Sequence, residues 1–241
     1  CDGAALYLTA TDAVTGVTYS WSGPAGFTSS IQNPTITPAS LSNAGTYSVT
    51  ATLLGCESAP ATTLAVIHPI PHISDITFTN PSTCLGIDGT ITLSGLLAGV
   101  TYTITYTHNS SNITTTVTAN TAGKVVITGL SSGAYGNFVA SSFTCPSNTA
   151  GPVTLIDPAA PPAPIIGSNS PICSGQALLL TATDDIPNLT YEWTGPNGFT
   201  SNEQNPVIHV TTMADSGMYY LTIRHRNCPT PASKNIIINP A

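Results

Sequence analysis

Short runs in which apolar and polar residues alternate dominate the chain. Leu6-Tyr7-Leu8-Thr9-Ala10, residues 17–21 and Thr46-Tyr47-Ser48-Val49-Thr50-Ala51-Thr52 carry the pattern early on, and Thr90-Ile91-Thr92-Leu93, residues 102–106 and residues 125–135 carry it further along. A period of two places successive side chains on opposite faces of an extended backbone, so each run predicts a β-strand with one buried face. Between the runs stand clusters of Gly, Pro and Asn, at Thr15-Gly16, Gly23-Pro24-Ala25-Gly26 and Asn43-Ala44-Gly45, which mark turns. Several short strands with regular turns predict an all-β chain built of sandwiches.

The pattern also repeats. Trp21, Gly23, Pro24, Gly26 and Phe27 return as Trp193, Gly195, Pro196, Gly198 and Phe199, each 172 positions on. The same offset carries Cys1 onto Cys173, Gln32-Asn33-Pro34 onto Gln204-Asn205-Pro206, Tyr47 onto Tyr219 and Cys56 onto Cys228, without a gap. A different module separates the two copies, so the chain is a tandem array of three modules spanning 1–69, 70–157 and 158–241. The joins are Pro-punctuated, His68-Pro69-Ile70-Pro71 and Pro158-Ala159-Ala160-Pro161-Pro162-Ala163-Pro164, and such joints are extended and semi-rigid. Modules this small bury too little core to be secure alone, so covalent staples are expected.

Composition narrows the function classes. Charged residues make up 6% of the chain and hydrophobic ones 41%, which excludes disorder and suits strands with Thr-rich outer faces. The net charge is −7, and residues 1–123 carry no Lys or Arg; Lys124, Arg224, Arg226 and Lys234 are the only cations. Nucleic acid and anionic membrane surfaces both require basic faces, so neither is an expected partner. No apolar run reaches the roughly 18 residues of a spanning helix, and no signal-peptide pattern opens the sequence. The chain therefore reads as soluble, without membrane insertion, with any export signal upstream or removed.

Six cysteines fall two to a module: Cys1 and Cys56, Cys84 and Cys145, Cys173 and Cys228. An even count in a chain so poor in charge points to an oxidising, extracellular address. No C-x-x-C or H-x-x-x-H spacing supports a metal.

An inward Trp on a third strand, followed by Asn43-Ala44-Gly45-Thr46-Tyr47 before a later strand, resembles the immunoglobulin-like sandwich and its tyrosine corner; Asp215-Ser216-Gly217-Met218-Tyr219 resembles it more closely. The fold class is thus an all-β tandem array of three immunoglobulin-like β-sandwich domains. One departure is that Ala10 and Val49, and Ala182 and Leu221, stand where antibody-type domains carry their inter-sheet cysteines. The first module also lacks the strand that Pro164-Ile165-Ile166-Gly167-Ser168 supplies before Cys173, which reads as a fragment of a longer array, with a lipidated Cys1 as the alternative. In the middle module, Cys84, Asp88-Gly89, Thr90-Ile91-Thr92-Leu93, then Gly129-Leu130-Ser131-Ser132-Gly133-Ala134-Tyr135 and Cys145 resemble the SprB-type repeat of Bacteroidetes gliding adhesins. The flanking Trp-x-Gly-Pro-x-Gly-Phe modules resemble the immunoglobulin-like repeats of large Bacteroidetes surface proteins. Two stretches depart from the middle repeat: a Thr-rich insertion over 109–118, and a loose Gly136-Asn137-Phe138 where the last strand should continue.

If strand order follows the immunoglobulin fold, Cys1, Cys84 and Cys173 lie at one end of their modules and Cys56, Cys145 and Cys228 at the other. Those ends are more than about 20 Å apart at about 3.3 Å per residue, whereas a disulfide needs Cα atoms within about 7 Å. Two pairings stay open. One joins neighbouring modules, Cys1 with Cys145 and Cys84 with Cys228, leaving Cys56 and Cys173 for other modules. The other places one bridge in each module and requires a different strand register.

The remaining candidates have competing readings. Pro24 and Phe27, and Pro196 and Phe199, beside Trp21 and Trp193, would form sugar-binding platforms if exposed; otherwise each Trp is core, each Gly-Pro-x-Gly a turn and each Phe its flank. His68, His72, His108, His209 and His225 are scattered, and no nucleophile or phosphate-loop motif accompanies them. Asp88 and Asp184-Asp185 fit turn and cap roles better than a calcium cage of six to eight oxygens. A Lys–Asn isopeptide bond is not expected in a first module without Lys, and the sequons at Asn109, Asn112 and Asn188 read as coincidence in a bacterial chain. The sequence predicts a non-catalytic stalk or repeat region of a secreted bacterial surface adhesin or filament, with no cofactor. Its expected partners are neighbouring repeats or like subunits in an array or fibre, with surface polysaccharide as a further candidate. The resemblance further implies type IX secretion and a part in gliding or attachment. The alternatives are an array of carbohydrate-binding modules and the accessory region of a larger secreted enzyme.

Overall fold

The computed structural model describes residues 1–11, 14–184 and 186–241. The chain is an all-β array of immunoglobulin-like sandwiches. Its contacts gather into two compact units: residues 1–77, 92–126 and 135–153, and residues 78–91, 127–134 and 154–241.

In the first unit, Thr18–Ser22, Thr28–Ser29, Gly45–Leu53, Cys56–Glu57 and Ala61–Ala65 form one sheet, in which Trp21 lies opposite Val49. Leu6–Tyr7 pairs with Thr35–Ile36 in a second, two-stranded sheet. Leu8, Trp21, Tyr47 and Ala65 are its buried centre, with Ala10, Phe27 and Val49 packed around them. The rest of this unit is built on Thr101–His108, where Tyr102, Ile104 and Tyr106 are buried and Thr101, Thr103 and Thr105 exposed, as strand alternation demands.

Two stretches that depart from the middle repeat are regular β-structure here. The Thr-rich insertion forms a strand, Ser111–Thr118, that pairs residue for residue with Thr101–His108. The turn at Asn109 and Ser110 has φ of 47° and 70°, the double positive φ of a type I′ hairpin turn, and Thr101 and Thr118 share a hydroxyl contact of 2.8 Å across the ladder. Gly136-Asn137-Phe138 is not loose. The strand Gly133–Ser142 runs through it with a register shift opposite Thr105 to Thr107. Asn137, at φ 54°, takes up the extra residue as a β-bulge, and Phe138 stays fully buried.

In the second unit, Thr190–Thr194, Thr200–Ser201, Gly217–His225 and Cys228–Ile236 form one sheet, and Ile165–Ser168, Leu178–Thr183 and Val207–Ile208 another. Ile172–Cys173 runs parallel to Ile238–Asn239. Leu178, Leu180 and Ala182 point inward against Trp193, Tyr219, Leu221 and Ile223. Ala182 and Leu221, at the positions an inter-sheet disulfide would take, are both buried apolar residues. Gly89–Ser94, Asp75–Thr79 and Val125–Leu130 form a three-stranded sheet.

Candidate functional site

The repeated turn motif is a latch on the tyrosine corner. Tyr47 donates its hydroxyl to the Asn43 carbonyl at 2.8 Å, and Tyr219 donates to the Asp215 carbonyl at 3.0 Å. A Cβ on Gly23 would run into the Tyr47 ring and one on Gly195 into the Tyr219 ring, so only glycine lets the turn lie flat on the phenol. Pro24 and Pro196 press in turn on Gly45 and Gly217, whose Cβ atoms would approach the proline Cγ atoms to 2.8 and 2.9 Å. Gly26 and Gly198, at φ 71° and 72°, close the turns in the region open to glycine. Phe27 sits edge-on to Tyr47 and Phe199 lies tilted to Tyr219, each at 5.5 Å. Trp21 and Trp193 are buried. Of the two readings of these residues, the structure fits the one in which each Trp is core, each Gly-Pro-x-Gly a turn and each Phe its flank.

Beneath the second latch, burial alone would push the Asp215 carboxyl up. Hydrogen bonds from Thr212 N at 2.7 Å, Thr212 Oγ1 at 2.9 Å and Asn197 Nδ2 at 3.1 Å outweigh it and hold Asp215 below its ordinary value. Burial, followed by the neighbouring Asp215 charge, pushes Tyr219 up to about 12. Burial and a 2.8 Å bond to Asp184 do the same for Tyr191. Asp88 accepts from Ser82 N at 2.9 Å, a turn cap. Asp185 lies outside the described residues. Among the described residues, no three His, Cys, Asp or Glu side chains gather where a metal could sit.

The cysteines pair across long stretches of sequence. Cys1 is bonded to Cys145, with Cα atoms 5.5 Å apart, and Cys84 to Cys228, with Cα atoms 5.0 Å apart. Each bridge spans a sequence separation of 144. Of the six cysteines, Cys56 and Cys173 are unpaired, and both are exposed. Cys145 and Cys228 each follow directly on a tight hairpin turn: Ser142 pairs with Cys145 and His225 with Cys228. The turn residues Phe143 and Thr144, and Arg226 and Asn227, all have positive φ. That geometry fixes a type I′ turn and presents the cysteine sulfur at the hairpin tip.

Backbone and ring contacts surround each bridge. In the first unit, Asp2 N donates to the His68 carbonyl at 2.8 Å, and the Phe143 ring stacks on His68 with centroids 3.9 Å apart. Asn148 clamps Ile73 from both sides, accepting from its N–H at 2.8 Å and donating to its carbonyl at 3.1 Å. In the second unit, Cys84 N donates to the Arg226 carbonyl at 2.9 Å, and Thr230 Oγ1 donates to the Pro161 carbonyl at 2.6 Å. The Pro158 carbonyl oxygen lies 3.5 and 3.3 Å from the sulfurs of Cys84 and Cys228; bridged sulfurs carry no hydrogen, so this is packing rather than hydrogen bonding.

No protein-family model matches the sequence, and no curated protein matches it. Among solved structures, the chain is similar to immunoglobulin domains 1–5 of Sidekick-1, at 17% identity and a TM-score of 0.40, covering 100% of this chain and 56% of that one. It is similar to the full ectodomain of mouse nectin-like molecule 4 at 12% identity and a TM-score of 0.42, covering 99% and 96%. It is also similar to the eight N-terminal immunoglobulin domains of Down syndrome cell adhesion molecule at 15% identity and a TM-score of 0.43, covering 100% and 35%. The fold assignment rests on the strand registers and core described above, not on these superpositions.

Proposed function

We propose that this chain is a non-catalytic structural repeat region of a secreted surface adhesin or extracellular filament, in which disulfides staple successive sandwiches into a stalk. The module limits in this reading are 1–69, 70–157 and 158–241. The observation that carries it is the bridge pattern: both disulfides join residues 144 apart, far longer than a single module, and each is flanked by linker contacts at His68 or Pro158 and Pro161. A bridge inside one domain guards that domain's fold, whereas a bridge between domains guards the joint. The Cys–Asp-Gly–Gly-Leu-x-x-Gly-x-Tyr order and the Trp-x-Gly-Pro-x-Gly-Phe repeats support a Bacteroidetes-type cell surface as the setting, with neighbouring repeats or like subunits as partners.

Small-angle scattering of the native and the reduced chain tests the reading. A stapled stalk gives a broader distribution of interatomic distances once reductant frees the joints. An unchanged distribution, with both bridges reduced, would show that the joints do not depend on them and would overturn the role.

A further inference from the structure

The Cys1–Cys145 bridge is made from two different halves. One is a lead-in turn ending in glycine: Ala4 N donates to the Cys1 carbonyl at 3.1 Å, Gly3 has φ 80° and its N–H donates to Ala39 at 2.7 Å. The other is a cysteine placed directly after a type I′ hairpin turn, as at Cys145 and Cys228. Both halves occur once more, unpaired. Around Cys173, Gln176 N donates to the Cys173 carbonyl at 3.2 Å, Gly175 has φ 89° and its N–H donates to Thr211 at 2.7 Å. Ser174 N donates to Asn239 at 2.8 Å, as Asp2 N does to His68. Around Cys56, Leu53 pairs with Cys56 across Leu54 and Gly55, at φ 50° and 84°.

An open apolar groove lies beside Cys56. A groove of about 300 Å³ there is lined by Val17, Ala51, Leu53, Cys56 and Ser58, and Leu54 is 96% exposed. The residues 172 positions on from Val17 and Ala51 are Leu189 and Ile223. In the second unit these two line a cavity with Pro162, Ala163 and Ile165, part of the segment that leads into that sandwich. The turn position of Leu54 is held by Phe143 in the first bridge, where it stacks on a linker side chain. The hairpin of Cys56 therefore stands beside an apolar groove like the surroundings of the bridged hairpins.

We infer that Cys173 of one copy of this chain and Cys56 of another are the complementary halves of a third staple, linking copies head to tail. The inference rests on the stalk reading above and names its partner as a second copy. Bond formation is thiol–disulfide exchange with a small-molecule disulfide such as oxidised glutathione. The Cys173 thiolate attacks one glutathione sulfur and expels a glutathione thiolate. The Cys56 thiolate of the second copy then attacks the Cys173 sulfur of the mixed disulfide and expels the other. Two protein thiols and one glutathione disulfide become one protein disulfide and two reduced glutathiones.

The full chain, incubated with oxidised glutathione and resolved on non-reducing gels with peptide mapping, tests this. The wild type is expected to give a ladder whose new cross-linked peptide joins Cys56 to Cys173. Cys56→Ser alone and Cys173→Ser alone are expected to lose every species above the monomer, while their mixture gives a dimer and nothing larger. Dimers formed by either variant alone as readily as by the mixture would overturn the inference, as would a wild type that stays monomeric. If Cys1–Cys145 and Cys84–Cys228 still map in that monomer, the stalk reading stands while this inference fails; if they do not map, the stalk reading fails as well.

Discussion

Pulled by its two ends until every sandwich has unfolded, the chain extends only as far as its shortest covalent path. The two bridges interlace, because Cys84 lies inside the loop closed by Cys1 and Cys145, and Cys145 lies inside the loop closed by Cys84 and Cys228. The shortest path crosses from Cys1 to Cys145, runs back to Cys84, crosses to Cys228 and goes on to Ala241. That is about 74 residues of backbone, or about 260 Å at roughly 3.5 Å per residue, against about 240 residues and 840 Å with no bridges. Losing either bridge alone leaves a path of about 96 residues, a gain of about 80 Å, but losing both adds about 580 Å. The gains are strongly non-additive, since each bridge shortcuts most of what the other releases. Single-molecule force extension of the wild type, Cys1→Ser, Cys84→Ser and the double variant reads these lengths directly. One bridge in each sandwich would instead give additive gains, with loss of a Cys84–Cys145 bridge alone releasing about 61 residues, or about 210 Å. An additive result of that size refutes the interlaced pairing.

Gly195→Ala places a methyl group against the Tyr219 ring and is expected to destabilise its sandwich by about 1–3 kcal/mol, read as a lower melting temperature, whereas Gly198→Ala meets no atom within 4 Å and carries only the strain of its positive φ. Tyr219→Phe removes the buried bond to Asp215 and should cost about 1 kcal/mol in denaturant melts. Tyr219 and Tyr191 are both held near 12, above their ordinary 10; their protonated forms stabilise the fold fully below pH 10, and that contribution disappears as pH rises from 10 through 12. Tyrosinate absorbance is therefore expected to rise in step with unfolding across that window. Asp215 is held below its ordinary 3.8, so its contribution is present above that value and lost as pH falls through the lower folded value. Asp215→Asn should keep the cap, as Asn43 does by accepting from Ser40 N at 2.8 Å, and should weaken the acid dependence seen in low-pH melts.

Alternation and turn chemistry act within a few residues, and most of what was legible from sequence alone rests on them. Tyr47 and Tyr219 reach carbonyls four residues back, and the two turns of the repeat share one backbone geometry. The strand Ser111–Thr118 was hidden because Asn and Thr fill one face entirely and Ser and Thr half of the other, leaving only Ile113 and Val117 to mark a hydrophobic period; its partner Thr101–His108 supplies the reason for it to be extended. The bulge at Asn137 was hidden because it answers a register shift on the opposite strand. The copies also differ where their sequences agree: Trp193 Nε1 donates to the Glu203 carbonyl at 3.0 Å, while Trp21 Nε1 is buried without an acceptor among the described residues. For the cysteines, the sequence narrowed the pairing to two schemes by placing them at opposite strand ends. The choice between those schemes fell to tertiary structure, because only the packing of one sandwich's lead-in turn on another's hairpin brings Cα atoms 144 residues apart to within 5.5 Å.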